Sequence, residues 1–341
     1  MSAMTYPELL TLLLQRHDLP REAMLTAMRA VMGGEWTSAQ IAGMLVALRT
    51  KGESVTEIAA AAEVMRELST KVPLAGVEHL VDTCGTGGDG AHTFNISTAA
   101  AFVAAACGAR VAKHGGRSVS STSGSADVLE ALGVNVNLAP EQVADAVKKI
   151  GVGFMFAPNH HSAMKHAAPV RRELGVRTLF NLLGPMTNPA GAPNQVLGVF
   201  SRALTGTLAR VLQTLGSRHV LVVHAEEGLD EISLASPTYV AELKDGHVSE
   251  YELEPGVFGL PQVAASELVV NGVDEAVGML RAALENRHPG AAAMVALNAG
   301  AAVYVAGRAA SLADGVAQAQ RAIASLAARD VLEHYRRFSL S

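Results

Sequence analysis

A glycine-rich segment over residues 82–90 is the part of the chain best suited to binding an anion. Its sequence is D-T-C-G-T-G-G-D-G, and Asn95, Ser97 and Thr98 follow before an apolar helical segment. Glycines let a backbone approach phosphate oxygens closely, and free N–H groups at a helix start attract anions. An ordinary glycine-rich turn is the alternative, but the dense glycines and the nearby hydroxyl and amide groups favour phosphate binding. The spacing matches neither the dinucleotide fingerprint nor the P-loop.

A second polar group, K-H-G-G-R over residues 113–117, follows the next predicted strand. Ligands of open parallel sheets bind at the carboxyl ends of the strands, so we expect this group to face the same edge as the first loop. A basic surface turn is the alternative for any one of these residues. A hydroxyl-rich stretch over residues 118–125 comes next, and its Ser125 could cap the following helix, bind phosphate, or do both.

The elements that must position these residues fall into two patterns. Before residue 72, capping residues and helical spacing of apolar residues predict four amphipathic helices. The predicted helix starts are marked by Thr5, Pro20, Thr37 and Ser54. We therefore expect a small all-α domain over residues 1–71, completed by helices around 160–190.

After residue 72, short β-branched stretches alternate with helices, which predicts a large α/β domain over residues 72–341. Its central sheet should be mostly parallel and flanked by helices. An Asp245-Gly246 turn predicts a hairpin of residues 238–243 with 247–253, and an Ala-rich helical region spans 290–329. The other predicted strands are 79–83, 110–113, 134–137, 152–156, 195–200 and 219–223.

Composition excludes several classes of protein. Hydrophobic residues make up 49% of the 341 residues, which excludes intrinsic disorder. The longest apolar run, residues 99–109, is shorter than the roughly 20 residues of a membrane span, and no secretory signal is visible. Two cysteines give neither a disulfide framework nor a metal cluster, which favours the cytoplasm. The net charge of −5 gives no basic field for nucleic acid, so a local site must hold any anionic ligand.

The glycine-rich segment is the first of a series of motifs that come in a fixed order along the chain. The others are N-x-S-T from residue 95, K-H-G-x-R-S-V-S-S from 113, S-G-S-A-D-V-L-E-A-L-G from 123, F-A-P at 156–158, His161, V-R at 170–171, R-T-L-F-N-L-L-G-P at 177–185 and G-L-D-E-I-S at 228–233. Together, from Asp82 to Ser233, they closely resemble the anthranilate phosphoribosyltransferase family.

The resemblance implies a reaction in tryptophan biosynthesis. Phosphoribosyl pyrophosphate gives its phosphoribosyl group to the amine of anthranilate, and pyrophosphate leaves. Breaking the bond at the ribosyl carbon develops positive charge there and negative charge on the leaving group, so charge stabilisation and positioning should dominate catalysis. An aromatic amine is already neutral at pH 7, and no residue is assigned as a general acid or base.

The resemblance also implies residue roles. Mg²⁺ would be bound by Asp230 and Glu231 with Ser97 nearby, although an Asp-Glu pair alone is more often a solvated turn. The phosphoribosyl pyrophosphate ligands would be Gly85, Thr86, Gly87, Gly88, Asp89, Thr93, Asn95, Ser97, Thr98, Lys113, Gly115 and Ser125. The anthranilate ligands would be Gly85, His114, Gly116, His161 and Arg171, whose guanidinium suits a carboxylate. A homodimer through the N-terminal helical domain is implied as well.

Two positions depart from the family pattern. Gly116 stands where K-H-G-N-R has an amide that would contact the aromatic substrate, and Thr122 stands where a Lys is common. We expect catalysis to survive with a weaker aromatic-substrate contact. Arg172 is the alternative to Arg171. His160, His161 and His166 are disfavoured as a metal cluster, because their spacing is irregular and no Cys or carboxylate accompanies them.

The sequence is also compatible with two competing functions. A pyrimidine nucleoside phosphorylase shares the architecture by resemblance, but the loop over residues 85–89 and the Asp230-Glu231 pair favour the transferase. A transferase-like protein that binds nucleic acid without catalysis would need basic surface stripes, which the net charge of −5 disfavours.

Overall fold

The computed structural model describes residues 4–117 and 123–341, which form two compact units. The first unit comprises the described chain up to Thr70 together with Pro158–Pro189. The second comprises Lys71–Ala157 and Ala190–Ser341, without residues 118–122. The predicted fold class is confirmed: a small helical unit accompanies an α/β unit with a mostly parallel sheet.

The regular elements are numbered here in chain order. The helices are α1 (Tyr6–Leu14), α2 (Arg21–Gly33), α3 (Ser38–Lys51), α4 (Val55–Leu68), α5 (Ile96–Ala106), α6 (Ser125–Ala131), α7 (Pro140–Ile150), α8 (Ala157–His160), α9 (Ala168–Leu174), α10 (Phe180–Leu183), α11 (Thr205–Thr214), α12 (Val273–Leu284), α13 (Pro289–Val305), α14 (Leu312–Ala324) and α15 (Ala327–Ser339). The strands are β1 (Leu80–Asp82), β2 (Arg110–Gly115), β3 (Val152–Phe156), β4 (Asn194–Gly198), β5 (His219–Ala225), β6 (Thr238–Lys244) and β7 (His247–Leu253).

Helices α1 to α4 of the first unit begin where Thr5, Pro20, Thr37 and Ser54 predict. Thr37 and Ser54 each accept a hydrogen bond from the backbone N–H three residues later, in complete capping boxes. Met24, Met28 and Leu45 are fully or almost fully buried, so the apolar faces of these helices form the core of the unit.

The second unit contains a seven-stranded sheet in the order β3-β2-β1-β4-β5-β6-β7. The pairs from β3 to β5 are parallel, and β6 and β7 continue the sheet antiparallel. Asp245 and Gly246 have φ of 50° and 77°, as the tight turn between β6 and β7 requires, and the predicted hairpin is confirmed. The carboxyl ends of β1, β2 and β4 therefore lie at one edge of the sheet.

The strand predicted at residues 134–137 is wrong. Val134 and Val136 are buried, which gives the alternation typical of a strand. However, the N–H of Asn135 donates to the Ser339 hydroxyl, and the N–H of Asn137 donates to the Asn135 side chain. Because side chains accept these bonds, the segment packs under α15 without joining the sheet.

The Ala-rich region predicted as one helical stretch is three helices, α13 to α15. A Cβ on Gly300 would lie 2.5 Å from the backbone N of Val316, so α13 and α14 approach at backbone contact. Small residues permit this spacing, and the chain as a whole is apolar with few aromatic residues. Helix α12, which the sequence pattern did not predict, precedes them. No helix of the described chain is long and apolar enough to cross a membrane.

Candidate active site

The glycine-rich loop leaves β1 and enters α5, as the sequence predicts. Gly87, Gly88 and Gly90 have φ of 64°, 78° and 75°, the left-handed region that glycine adopts without strain. The N–H of Thr86 donates to the carbonyl of Gly198 at 2.8 Å, which ties the loop to the end of β4. Asn95 is the N-cap of α5, and no side-chain bond occupies that cap. The loop and the helix start thus lie at the carboxyl edge of the parallel strands.

Two adjacent carboxylates, Asp230 and Glu231, face this loop. The N–H of Gly87 donates to Asp230 Oδ2 at 2.9 Å, and the N–H of Ser97 donates to Glu231 Oε1 at 3.1 Å. Asp89 lies beside them, with its Oδ2 3.4 Å from the backbone N of Asp230. The structure therefore brings together Ser97, Asp230 and Glu231, the three residues predicted to surround a metal.

The electrostatics of this cluster disfavour its negative charge. Burial, and then repulsion from Asp89 and Glu231, raise the pKa of Asp230 well above its usual value. Burial raises the pKa of Glu231 to about 7, although the nearby Lys113 acts in the opposite direction. Carboxylates held together against repulsion are stabilised by a bound cation, and an all-oxygen donor set suits Mg²⁺.

The described residues contain no preformed metal cluster of three or more protein ligands. Among residues 4–117 and 123–341, no three His, Cys, Asp or Glu side chains converge as a metal site. Protein sites for Mg²⁺ commonly use one or two carboxylates, with substrate phosphates and water as the remaining ligands. Asp230 and Glu231 fit that kind of site.

Lys113 and His114 lie within β2 and are buried, so the alternative of a basic surface turn is wrong for both. The Lys113 ammonium donates to the carbonyl of Thr83, and at 3.3 Å to the Ser97 hydroxyl. The backbone N–H of His114 donates to Asp82 Oδ1 at 3.1 Å. A buried positive charge is thereby held beside the start of α5, where a phosphate group would need it.

Arg117, the last residue of this group, lies at the protein surface. Its guanidinium forms ion pairs with Asp127 at 2.8 Å and Glu130 at 2.6 Å, and it is half exposed. For Arg117, the alternative of a basic surface turn is therefore correct.

Ser125, Gly115 and Gly116 lie close together. The interpretation of Ser125 as a helix cap is wrong, because Gly124 is the N-cap of α6 and donates to Asp127. The Ser125 hydroxyl donates to the carbonyl of Gly116 at 3.3 Å, and a Cβ on Gly115 would lie 2.3 Å from that hydroxyl oxygen. Thr122 and the rest of residues 118–122 lie outside the described residues.

The remaining residues predicted to contact the donor are placed around the same loop. Asn95 exchanges hydrogen bonds with Ser123, at 3.2 Å to its carbonyl and 3.1 Å from its hydroxyl. Thr93 forms an isolated bridge with Val269, and Thr98 is buried in the first turn of α5. Gly85 lies against Asp230, since a Cβ there would be 3.0 Å from Asp230 Oδ2.

The chain is similar to known proteins over almost its whole length. Residues 77–329 match the family described as glycosyl transferase family, a/b domain, and residues 7–69 match its helical bundle domain. The anthranilate phosphoribosyltransferase of Thiobacillus denitrificans is 61% identical over 329 residues, which covers 96% of each chain. That of Laribacter hongkongensis is 60% identical over 328 residues, again with 96% of each chain covered.

Solved structures agree. Anthranilate phosphoribosyltransferase from Thermus thermophilus matches with a TM-score of 0.92 and 45% identity, over 98% of this chain and 99% of that one. The Saccharomyces cerevisiae enzyme in complex with PRPP and Mg matches with a TM-score of 0.83 and 27% identity, over 98% and 93% of the two chains. The chain belongs to the anthranilate phosphoribosyltransferase family. The resemblance and the predicted enzyme class are thereby confirmed.

The first unit carries the other residues predicted to bind anthranilate in this family, His161 and Arg171. Arg171 lies on α9, half buried, with its guanidinium 5.5 Å from the centre of the Phe180 ring. Burial lowers its pKa. Arg172 is exposed, so the two adjacent arginines differ in environment. His161 is buried.

The other two histidines of this region have packing roles in the first unit. His160 Nδ1 lies 2.8 Å from the carbonyl oxygen of Thr70, and burial lowers the pKa of this imidazole. The His166 ring covers Gly34, where an added Cβ would lie 2.6 Å from the ring.

Two residues that contact the carboxylate pair or its backbone were not among the site residues predicted from the sequence. Gly198 allows β4 to approach Asp230, and Asn298 on α13 bonds the backbone that follows Glu231. For Asn298, the sequence offered one signal, which is an amide in the middle of an apolar helical segment. For Gly198, the sequence offered no signal, because the close approach to Asp230 arises from tertiary packing.

Proposed function

We propose that this chain transfers the phosphoribosyl group of phosphoribosyl pyrophosphate to the amine of anthranilate, with release of pyrophosphate, in tryptophan biosynthesis. The observation that carries the proposal is the arrangement at the sheet edge. A glycine-rich loop and the start of α5 face two adjacent carboxylates, with Lys113 buried beside them. This arrangement combines donors for phosphate oxygens with donors for a divalent cation.

The donor substrate would be held chiefly by backbone groups. N–H groups of the loop over residues 85–90 and the N-terminus of α5 offer partial positive charge without side-chain entropy cost. Lys113 adds a full charge that the strand holds in place. Asn95, Ser97 and Ser125 supply hydroxyl and amide groups around the same loop.

Mg²⁺ would be bound by Asp230 and Glu231, with Ser97 nearby. When bound, the ion neutralises charge on the pyrophosphate as it leaves. The chain's own contribution is to hold two carboxylates at one place despite their repulsion, through the N–H groups of Gly87 and Ser97.

Catalysis then consists of positioning and charge stabilisation. The anthranilate nitrogen forms a bond to the ribosyl carbon as the bond from that carbon to the pyrophosphate oxygen breaks, and the nitrogen then releases a proton. Positive charge develops on the ribosyl carbon and negative charge on the leaving group, next to Lys113 and the loop N–H groups. No side chain is assigned as an acid or base.

We propose the anthranilate residues as predicted: Gly85, His114, Gly116, His161 and Arg171. Arg171 supports this role, because its guanidinium is half buried, stacks on Phe180 and offers a planar fork to a carboxylate. Its exposed neighbour Arg172 lacks this setting.

A homodimer through the helical unit is also part of the proposal. Leu14 on α1 is 71% exposed and Val46 on α3 is 44% exposed, and both line a groove of about 450 Å³ between these helices. Its lining exposes mostly apolar surface, which a second copy would cover. The free thiols of Cys84 and Cys107 agree with a cytoplasmic location.

Genetic complementation tests the proposal. The chain should restore growth without tryptophan to a bacterial strain that lacks anthranilate phosphoribosyltransferase activity. A matched strain that carries the Asp230→Asn, Glu231→Asn double variant should not grow. Failure of the native chain, with soluble protein shown in the cells, would contradict the proposal.

A further inference from the structure

A buried amide side chain lies beneath the carboxylate pair. Asn298 is in the middle of α13 and is 2% exposed, among alanine, valine and leucine. An amide buried in such surroundings is costly unless its hydrogen bonds are made. Its bonding partners therefore indicate what it does.

Asn298 pairs with both peptide groups of Ile232. Its Oδ1 accepts from the Ile232 N–H at 2.9 Å, and its Nδ2 donates to the Ile232 carbonyl at 2.9 Å. The second N–H of Nδ2 donates to the Met294 carbonyl, one turn back on α13, at 3.1 Å. The amide orientation is fixed by these bonds, because the reverse orientation would place donor against donor and acceptor against acceptor.

The residue held in this way directly follows Glu231. Across the same backbone, Gly198 packs on the carbonyl of Asp230 so closely that a Cβ would lie 1.6 Å from that oxygen. Asn298, Gly198, Asp230 and Glu231 also line one small cavity with Ser97. The backbone of residues 230–232 is therefore held between the end of β4 and α13.

Asp230 and Glu231 need such support because their carboxylates bond to two separate N–H groups, those of Gly87 and Ser97, so the arrangement of the pair depends on the backbone that carries them. A loosely held backbone would let the carboxylates separate, and the free energy of bringing them together again would weaken cation binding. Residues that orient metal ligands without touching the metal commonly change affinity 10–100-fold when they are substituted.

We propose that Asn298 is a positioning residue, which fixes the backbone after Glu231 so that both carboxylates are arranged for a divalent cation. The identity of that cation as Mg²⁺ rests on the proposed function. Both amide atoms of Asn298 bond to backbone groups, so the residue acts through Ile232.

Asn194 provides a matched control. It is 4% exposed, and its Nδ2 donates to the carbonyl of Leu80 at 2.9 Å. It begins β4, at the end opposite to Gly198. Replacing it with Ala also removes a buried amide bond to a backbone carbonyl, but at the other edge of the sheet.

The test is Mn²⁺ binding to the full chain, measured by electron paramagnetic resonance of free Mn²⁺, because Mn²⁺ shares the oxygen-rich octahedral sites of Mg²⁺. Asn298→Ala should weaken binding about 10-fold or more, within the range of such positioning residues. Asn194→Ala should bind about as tightly as the native chain, within twofold or so, as expected for a distant and independent site. The Mg²⁺ concentration for half-maximal turnover should rise in the same ratio for Asn298→Ala, with a smaller change in kcat.

Asn298→Ser serves if the Ala variant does not fold. A serine hydroxyl can keep the bond to the carbonyl one turn back while losing the pairing with Ile232. Native Mn²⁺ affinity in either folded Asn298 variant, or equal weakening in Asn194→Ala, would overturn the inference. Absence of phosphoribosyl transfer by the native chain would instead overturn the proposed function, and the comparison of Mn²⁺ affinities would still decide the role of Asn298.

Discussion

A Cβ atom on Gly198 would lie 1.6 Å from the carbonyl oxygen of Asp230. The end of β4 and the carboxylate pair can meet only because residue 198 has no side chain, and the opposing atom is backbone that cannot rotate away. We therefore predict that Gly198→Ala destabilises the fold by about 1–3 kcal/mol or more, the cost of overpacking. It should also weaken cation binding.

Gly278→Ala is the control for that variant. Gly278 lies within α12, and a Cβ there would meet nothing within 4 Å. Ala should stabilise this helix by about 0.5–1 kcal/mol. Urea unfolding measures the stability of both variants. Equal stability of Gly198→Ala and Gly278→Ala would contradict the packing argument.

Replacing Asp230 with Asn should make the metal-free fold more stable and weaken the function that depends on the cation. Because burial, Asp89 and Glu231 raise the pKa of Asp230, the folded metal-free chain keeps this proton over a pH range in which the unfolded chain has lost it. The contribution of Asp230 to stability should thus be lost progressively as the pH rises from the usual aspartate pKa to the raised value. Asp230→Asn should unfold at a higher temperature than the native chain at pH 8, and the difference should shrink towards pH 5.

The same variant should need far more Mg²⁺ for turnover. Thermal unfolding in the presence of a chelator, at pH 5 and pH 8, measures the first effect, and activity against Mg²⁺ concentration measures the second. A variant that is less stable than the native chain at pH 8 would show that Asp230 is a structural carboxylate.

Gly116 has room for the amide that the family pattern carries at this position. A Cβ there meets no described atom within 4 Å, and its backbone lies outside the left-handed region. Gly116→Asn should therefore fold and lower the KM for anthranilate about 2–10-fold, the value of one hydrogen bond of about 0.5–1.5 kcal/mol. The KM for phosphoribosyl pyrophosphate is the internal control and should not move. An unchanged KM for anthranilate would remove Gly116 from the anthranilate residues.

The adjacent pair Arg171 and Arg172 gives a matched test of the anthranilate assignment. Arg171→Ala should raise the KM for anthranilate about 10-fold or more, since a charge-assisted bond is worth about 1.5–3 kcal/mol. Arg172→Ala, at an exposed position, should change neither KM. A larger effect of Arg171→Ala on phosphoribosyl pyrophosphate than on anthranilate would mean that the two substrates are assigned to the wrong residues.

Local patterns predicted the parts of the site that local sequence specifies. The glycine-rich loop after β1 and the polar group at the end of the next strand, with Lys113 and His114, were identifiable from residue types and order. Both depend on backbone conformation or on a strand end, which short segments encode. The Asp230-Glu231 pair was assigned only through the resemblance to the family, because such a pair alone is more often a solvated turn.

Features that depend on distant packing were missed. The alternation of buried Val134 and Val136 suggested a strand. However, the N–H of Asn135 donates to the hydroxyl of Ser339, which lies more than 200 residues away in sequence. Gly198 and Asn298 likewise acquire their roles only when β4 and α13 come together around Asp230. Burial of Lys113 could not be seen either, because it arises from the contact with Thr83 and Ser97.

The most direct test of the central claim is the fluorescence of anthranilate, which its ribosylated product largely lacks. Purified chain, anthranilate, phosphoribosyl pyrophosphate and Mg²⁺ together should cause a loss of fluorescence, with one pyrophosphate released for each anthranilate consumed. Omitting Mg²⁺ or the donor should abolish both signals. No loss of fluorescence at any Mg²⁺ concentration, from protein shown to be folded, would contradict the account.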